Sequence, residues 1–147
     1  MPVSGKFPKV AATPEPRRSP TAAPPNYNSE HPSWRISKIE MVNPFGWQEI
    51  GRAALEDVRA KLSNFESMTW NQILVEARKQ NHSIPVWDLC QEAQSRLETI
   101  GLEDTEEVIS LRLSGKERVW GIRQGAALLV LWWDPDHRVC PSVLKYT

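Results

Sequence analysis

Cysteine is scarce: Cys90 and Cys140 are the only two in 147 residues. They are too few for a disulfide framework and do not stand in a metal-ligand spacing, so free thiols are expected. Long apolar runs are missing too. Nowhere do about 18 apolar residues stand together, and the first 30 residues carry Pro, Arg and Glu where a signal peptide needs an apolar core. A cytoplasmic chain with no membrane span is expected. Net charge is absent, with 18 Lys+Arg against 18 Asp+Glu. That balance speaks against coating nucleic acid by bulk electrostatics, while leaving room for a small local basic site. There is no Walker loop, GxGxxG, GxSxG or HExxH, which removes the common nucleotide, hydrolase and zinc-protease readings, and no cofactor is expected.

What is present is unevenly placed. Residues 1–33 hold eight of the twelve prolines and, as aromatics, only Phe7 and Tyr27, so this segment is expected to be a disordered tail that cannot pack a core. Residues 34–106 carry eight basic and twelve acidic side chains, and residues 107–147 carry six and four. The C-terminal segment is therefore mildly basic inside a neutral chain. Residues 34–147 suffice for a single domain.

The periodicity predicts an α+β fold: a small antiparallel sheet, made of an N-terminal strand and a C-terminal meander, packed against about three helices. Trp34, Ile36 and Met41 alternate imperfectly with polar residues and predict a short strand ending at Asn43-Pro44. Trp47, Ile50, Ala54, Val58, Leu62 and Phe65 recur at steps of three and four, which predicts a helix over about 47–64. Thr69 and Gln72 have the spacing of a capping box, predicting a helix over about 70–80. Pro85 suits a first helical turn, Leu89, Ala93, Leu97 and Ile100 follow, and Gly101 is placed to end that third helix.

The period then changes. Ile109, Leu111 and Leu113 alternate with polar residues, Gly115 marks a turn, and a second strand runs to Gln124-Gly125. Residues 126–133 are apolar on both faces, as expected of a central strand covered on both sides. Asp134-Pro135 opens a turn, and residues 138–141 are expected to form a short last strand.

Read as a unit, SLRLSGKERVWGIRQGAALLVLWWDPDHRVCPS resembles the C-terminal meander of the RelE/ParE superfamily of bacterial toxins. The matching positions are Arg112 on one strand, Arg118 at the start of the next, the run Ala127 to Trp133, and His137 with Arg138. The likeness covers about 35 residues. Most such toxins are strongly basic, whereas this chain is neutral and has an extra helix and a proline-rich tail. The resemblance implies a compact sheet with helices on one side, an antitoxin partner, and often ribosome-dependent mRNA cleavage.

Cleaving RNA without a metal requires a base for the 2′-hydroxyl, cations near the phosphate and an acid for the leaving oxygen. His137 and Arg118 are the catalytic candidates; Arg112, Arg123 and Arg138 are the RNA-binding ones. The plainer readings are a turn residue for His137 and solvated strand faces for the arginines. Hairpin length matters: a three-residue loop after Leu113 puts Arg112 and Arg118 on one face, and a two- or four-residue loop separates them. Asp134, Asp136 and His137 in one tight turn rarely converge on a metal, and none is expected. Trp132 and Trp133 are consecutive on a strand and face opposite sides, so one of them is free to line a partner groove unless both faces are covered. Two classes of function remain: a toxin-like ribonuclease acting on mRNA or the ribosome, and a non-catalytic antitoxin, immunity or phage-encoded adaptor that binds a protein.

Overall fold

The computed structural model describes residues 26–141. Five strands form one sheet: β1 (Ser33–Arg35), β2 (His82–Pro85), β3 (Glu107–Arg112), β4 (Arg118–Gln124) and β5 (Ala127–Asp134). Their spatial order is β1-β5-β4-β3-β2, with β1 parallel to β5 and every other pair antiparallel. Two α-helices, α1 (Arg52–Glu66) and α2 (Gln91–Thr99), and a short π-helical segment at Gln72–Glu76 complete an α+β fold. Among the described residues no helix is long and apolar enough to cross a membrane.

The helices cover both faces of the sheet, not the one side that the RelE/ParE resemblance implies. Leu89, Ala93 and Leu97, from α2 and the residues before it, pack with Val108, Trp120, Leu129, Leu131 and Trp132. On the other face Val58 and Phe65 of α1, with Trp70 and Ile73, pack with Ile109, Leu111, Val119, Val130 and Trp133. Trp132 is 0 % exposed and Trp133 4 %, so neither lines an open groove. The apolar run of β5 is thus covered on both sides, as its composition predicts.

A bulge sets the phase of β5. Gly121 pairs with Val130 and Trp120 with Trp132, which leaves Leu131 as the extra residue. Leu131 and Trp132 therefore both face α2, and Asp134 follows Trp132 onto that side. Gly121 permits this because a Cβ there would lie 2.6 Å from the Leu129 carbonyl oxygen and 2.8 Å from Leu128 Cγ.

Several boundaries differ from the sequence reading, each for a local reason. β1 stops at Arg35, and Ile36, Met41 and Val42 lie exposed in the segment that follows. Trp47 sits in a 3-10 turn and packs on Trp133, with ring centroids 5.9 Å apart, so α1 starts only at Arg52. The capping box forms as expected: Thr69 N–H donates to Gln72 Oε1, and Gln72 N–H to Thr69 Oγ1. The helix it opens is nevertheless cut short. The buried Asn81 side chain donates to the Ile73 carbonyl, and Ala77 N–H reaches back five residues to Gln72.

His82–Pro85, adjoining the expected third helix, is instead an edge strand on β3, and α2 begins only at Gln91. Its end is as expected. Gly101, at φ 79°, leaves Leu102 N–H to bond the Leu97 carbonyl and its own N–H to bond that of Glu98. Residues 138–141 form no strand; the side chain of Asp134 takes up the amides of Arg138 and Val139.

Of the proline-rich tail, residues 1–25 lie outside the described residues. Residues 26–33 are held to the body of the fold: Glu30 and Asn28 carbonyls accept from Trp70 and Asn71 N–H, and Pro32 is buried. No disulfide joins Cys90 and Cys140, and the Cys140 thiol donates to the Asp88 carbonyl.

Candidate functional site

The β3–β4 connection is a three-residue loop. Leu113 N–H bonds the Glu117 carbonyl across Ser114-Gly115-Lys116, and Gly115 takes φ 50°. Arg112 consequently pairs directly with Arg118, and the two side chains share one face. Trp120, two residues along β4 from Arg118, packs on the α2 side, so that is the face the arginines occupy. Arg118 also pairs with Asp134 on its other side.

These residues open a cleft of about 350 Å³ lined by Arg112, Lys116, Arg118, Asp136 and His137. Arg118 is nearly buried at 4 % exposure, and its Nη1 donates to the carbonyls of Gly115 at 2.7 Å and Glu117 at 3.0 Å. The loop glycine and the strand arginine thus hold each other in place. Among the described residues neither Arg112 nor Arg118 has an acidic partner within ion-pair distance. Burial, and then the charge of Arg112, push the Arg118 guanidinium below its ordinary value, with Asp134 acting the other way. Two cations side by side without an acid between them favour the arrival of an anion.

His137 enters this cleft from the loop after β5. It is 8 % exposed, takes φ 58°, and its buried Nδ1 has no hydrogen-bond partner among the described residues. Burial is the main reason its pKa is lowered; Arg118 and Arg112 add to the effect and Asp134 opposes it. The neutral imidazole is therefore favoured near neutral pH, the form able to accept a proton.

Arg123 and Arg138 do not join the cluster. Arg123 is five positions along β4 from Arg118, roughly 17 Å at a strand rise of ~3.4 Å per residue. Its guanidinium lies 4.8 Å from the Trp70 ring centroid and donates to the carbonyls of Gly125 and Asn26. Burial pushes its pKa down. Arg138 lies 5.2 Å from the Phe45 ring centroid and 3.6 Å from the Glu92 carboxylate. At these positions each guanidinium lies against an aromatic ring and not in the cleft.

Two polar residues outside the candidate catalytic and RNA-binding set support the site. The buried Asn81 accepts from Arg112 N–H through Oδ1, fixing the end of β3 under the Arg112 side chain. Asp134, read from the sequence as the start of a turn and weighed as a metal ligand, accepts three hydrogen bonds: from Arg138 N–H, Val139 N–H and Trp120 Nε1. An Asp opening an Asp-Pro turn was the available signal, since such a carboxylate commonly caps the amides that follow. Lys116 at the loop tip adds a third cation. Among the described residues no group of three or more His, Cys, Asp or Glu could hold a metal ion.

Compared with known proteins, the chain matches no family profile, no curated protein and no solved structure.

Proposed function

We propose that this chain is a RelE/ParE-like toxin acting in the cytoplasm, a metal-independent endoribonuclease whose cleft receives an RNA phosphodiester. The observation that carries this reading is the convergence in one opening of Arg112, Arg118 and a buried His137 whose Nδ1 has no hydrogen-bond partner among the described residues. In the proposed reaction neutral His137 takes the proton of the 2′-hydroxyl as that oxygen attacks phosphorus. Arg112 and Arg118 meet the charge that builds on the phosphoryl oxygens. The bond from phosphorus to the 5′-oxygen breaks, water at the open mouth protonates that oxygen, and the imidazolium returns its proton to solvent. The products are a 2′,3′-cyclic phosphate and a 5′-hydroxyl end. An antitoxin would restrain it by covering the same opening.

The test is induction in a bacterial host, following growth and the 5′ ends of mRNA. Arrest with new 5′-hydroxyl ends is expected, and Arg118→Ala or His137→Ala should relieve it, with soluble folded protein retained and cleavage slowed by about a hundredfold or more. If the unaltered chain leaves growth and mRNA intact in several hosts that lack an antitoxin gene, the toxin reading is wrong. What then favours a non-catalytic protein-binding adaptor is Trp87, 72 % exposed beside the open edge of β2.

A further inference from the structure

We infer that Asp134 is the positioning residue of this site, a buried carboxylate that locks the loop presenting His137 to the two arginines. The inference rests on the reading of the cleft as a ribonuclease site, and its geometry is independent of that reading. Asp134 is 0 % exposed at the end of β5. Oδ1 accepts from Arg138 N–H at 2.8 Å; Oδ2 accepts from Val139 N–H and from Trp120 Nε1, both at 3.0 Å. The two amides immediately follow His137, and the indole belongs to the strand that carries Arg118. One carboxylate therefore ties the imidazole loop to the arginine strand.

The lock has something to hold. A histidine at φ 58° occupies the left-handed region that side chains rarely adopt, and such a residue persists only where its surroundings over-determine it. On the C-terminal side Val139 and Cys140 are fully buried, and the Val139 carbonyl accepts from Cys90 N–H at the start of α2. On the N-terminal side the only comparable anchor in the loop is Asp134 itself, because Pro135 and Asp136 are exposed. Without the carboxylate, the two amides lose their acceptor and His137 is free to leave the left-handed region.

The direction in which His137 titrates separates positioning from a simple charge effect. The groups facing its imidazole are Arg112 on β3, Lys116 in the hairpin loop, Arg118 on β4, Asp134 on β5 and Asp136 in its own loop. Burial and the arginines hold its pKa down and Asp134 raises it. If Asp134 acted by charge alone, removing the charge would move the titration to still lower pH. If Asp134 holds the loop, removing it lets the ring leave the buried, cationic cleft, and the titration rises toward that of an ordinary histidine.

The experiment compares the full chain with Asp134→Asn, in which an NH₂ group replaces one acceptor and faces donors. Three readouts are followed: RNA cleavage, His137 titration by NMR, and amide exchange at Arg138 and Val139. A kcat lowered tenfold or more with KM changed less than about twofold, a His137 midpoint moved upward, and faster exchange at both amides are expected. A midpoint that falls or stays, or exchange as slow as in the parent, overturns the inference. If the parent cleaves no RNA, the ribonuclease reading fails by itself, and titration and exchange still decide the role of Asp134. Should Asp134→Asn not fold, Trp120→Phe removes one of the three donors and keeps the charge. Faster exchange at Val139 with a raised midpoint is expected there too, and parent-like values for both would overturn the inference.

Discussion

Adding one methyl group at Gly121 probes the feature that places Asp134 beside Arg118. The Cβ of Gly121→Ala would lie 2.6 Å from the Leu129 carbonyl oxygen and 2.8 and 2.9 Å from Leu128 Cγ and Cδ2. The nearest atom is backbone inside a paired strand, which cannot rotate out of the way, so the change belongs at the upper end of overpacking costs, about 3 kcal/mol. With a urea slope of roughly 1.5 kcal/mol/M, that moves the unfolding midpoint down by about 2 M. Two other glycines calibrate the result. At Gly115, φ 50° with nothing within 4 Å, Gly115→Ala carries only the backbone penalty, about 1 kcal/mol. At Gly51, the N-cap of α1, there is neither a neighbour within 4 Å nor a positive φ; the poorer cap made by Ala and the lower entropy of the unfolded chain oppose each other, so Gly51→Ala should change stability by less than about 1 kcal/mol. The assay is urea unfolding of all three by intrinsic tryptophan fluorescence. Equal midpoints for Gly121→Ala and Gly51→Ala would refute the bulge as drawn, and with it the phase that brings Asp134 to the α2 side.

Leu97→Ala and Trp70→Ala should each destabilise by about 2 to 5 kcal/mol in the same assay, since both side chains are fully buried, on opposite faces of the sheet. Loss at only one of them would mean that one layer is misplaced. Trp87→Ser, on a 72 % exposed side chain, should leave the midpoint within about 0.5 kcal/mol of the parent. Acid stability should depend on Glu40. Burial alone would raise its pKa, but hydrogen bonds from Arg96 and Trp132, with the Arg96 charge, lower it below the ordinary 4.5. The contribution of this pair is therefore complete above pH 4.5 and is lost as the pH falls through the lower folded value. A Glu40→Gln variant whose acid unfolding between pH 4.5 and 2 matches that of the parent would contradict this.

The parts of the fold that were legible in the sequence are those where one physical term dominates. The stripe of Val58, Leu62 and Phe65 needs a helix to become one face, and α1 supplies it. An eight-residue apolar strand needs cover on both sides, and β5 has it. β2 was illegible because Ile84 stands alone between Ser83 and Pro85, and only pairing with Val108 across the sheet makes it a strand. The second helix is present but ends earlier than its pattern implies, for a similar reason. Its capping box is real, but a buried Asn81 takes one of its carbonyls, and no local pattern announces that an asparagine eight residues on will turn inward.

The candidate site divides along the same line. Residue type singled out Arg112, Arg118 and His137, because cations and an imidazole are what phosphate chemistry needs. Whether they meet depended on a loop length that Ser114-Gly115 leaves open, and on a bulge that re-phases β5. Arg123 and Arg138 have the same chemistry, yet the positions of Trp70 and Phe45 draw them elsewhere. The residues that hold the site together, Asn81 and Asp134, carry no such chemical signature. Their work is to accept backbone amides in places water does not reach, where an unmade hydrogen bond costs about 1 to 3 kcal/mol. A strand that ends in a carboxylate and a loop that begins with proline can be read as a turn from sequence alone. That the same carboxylate decides where His137 stands follows only once Trp120, Arg138 and Val139 are seen to share it.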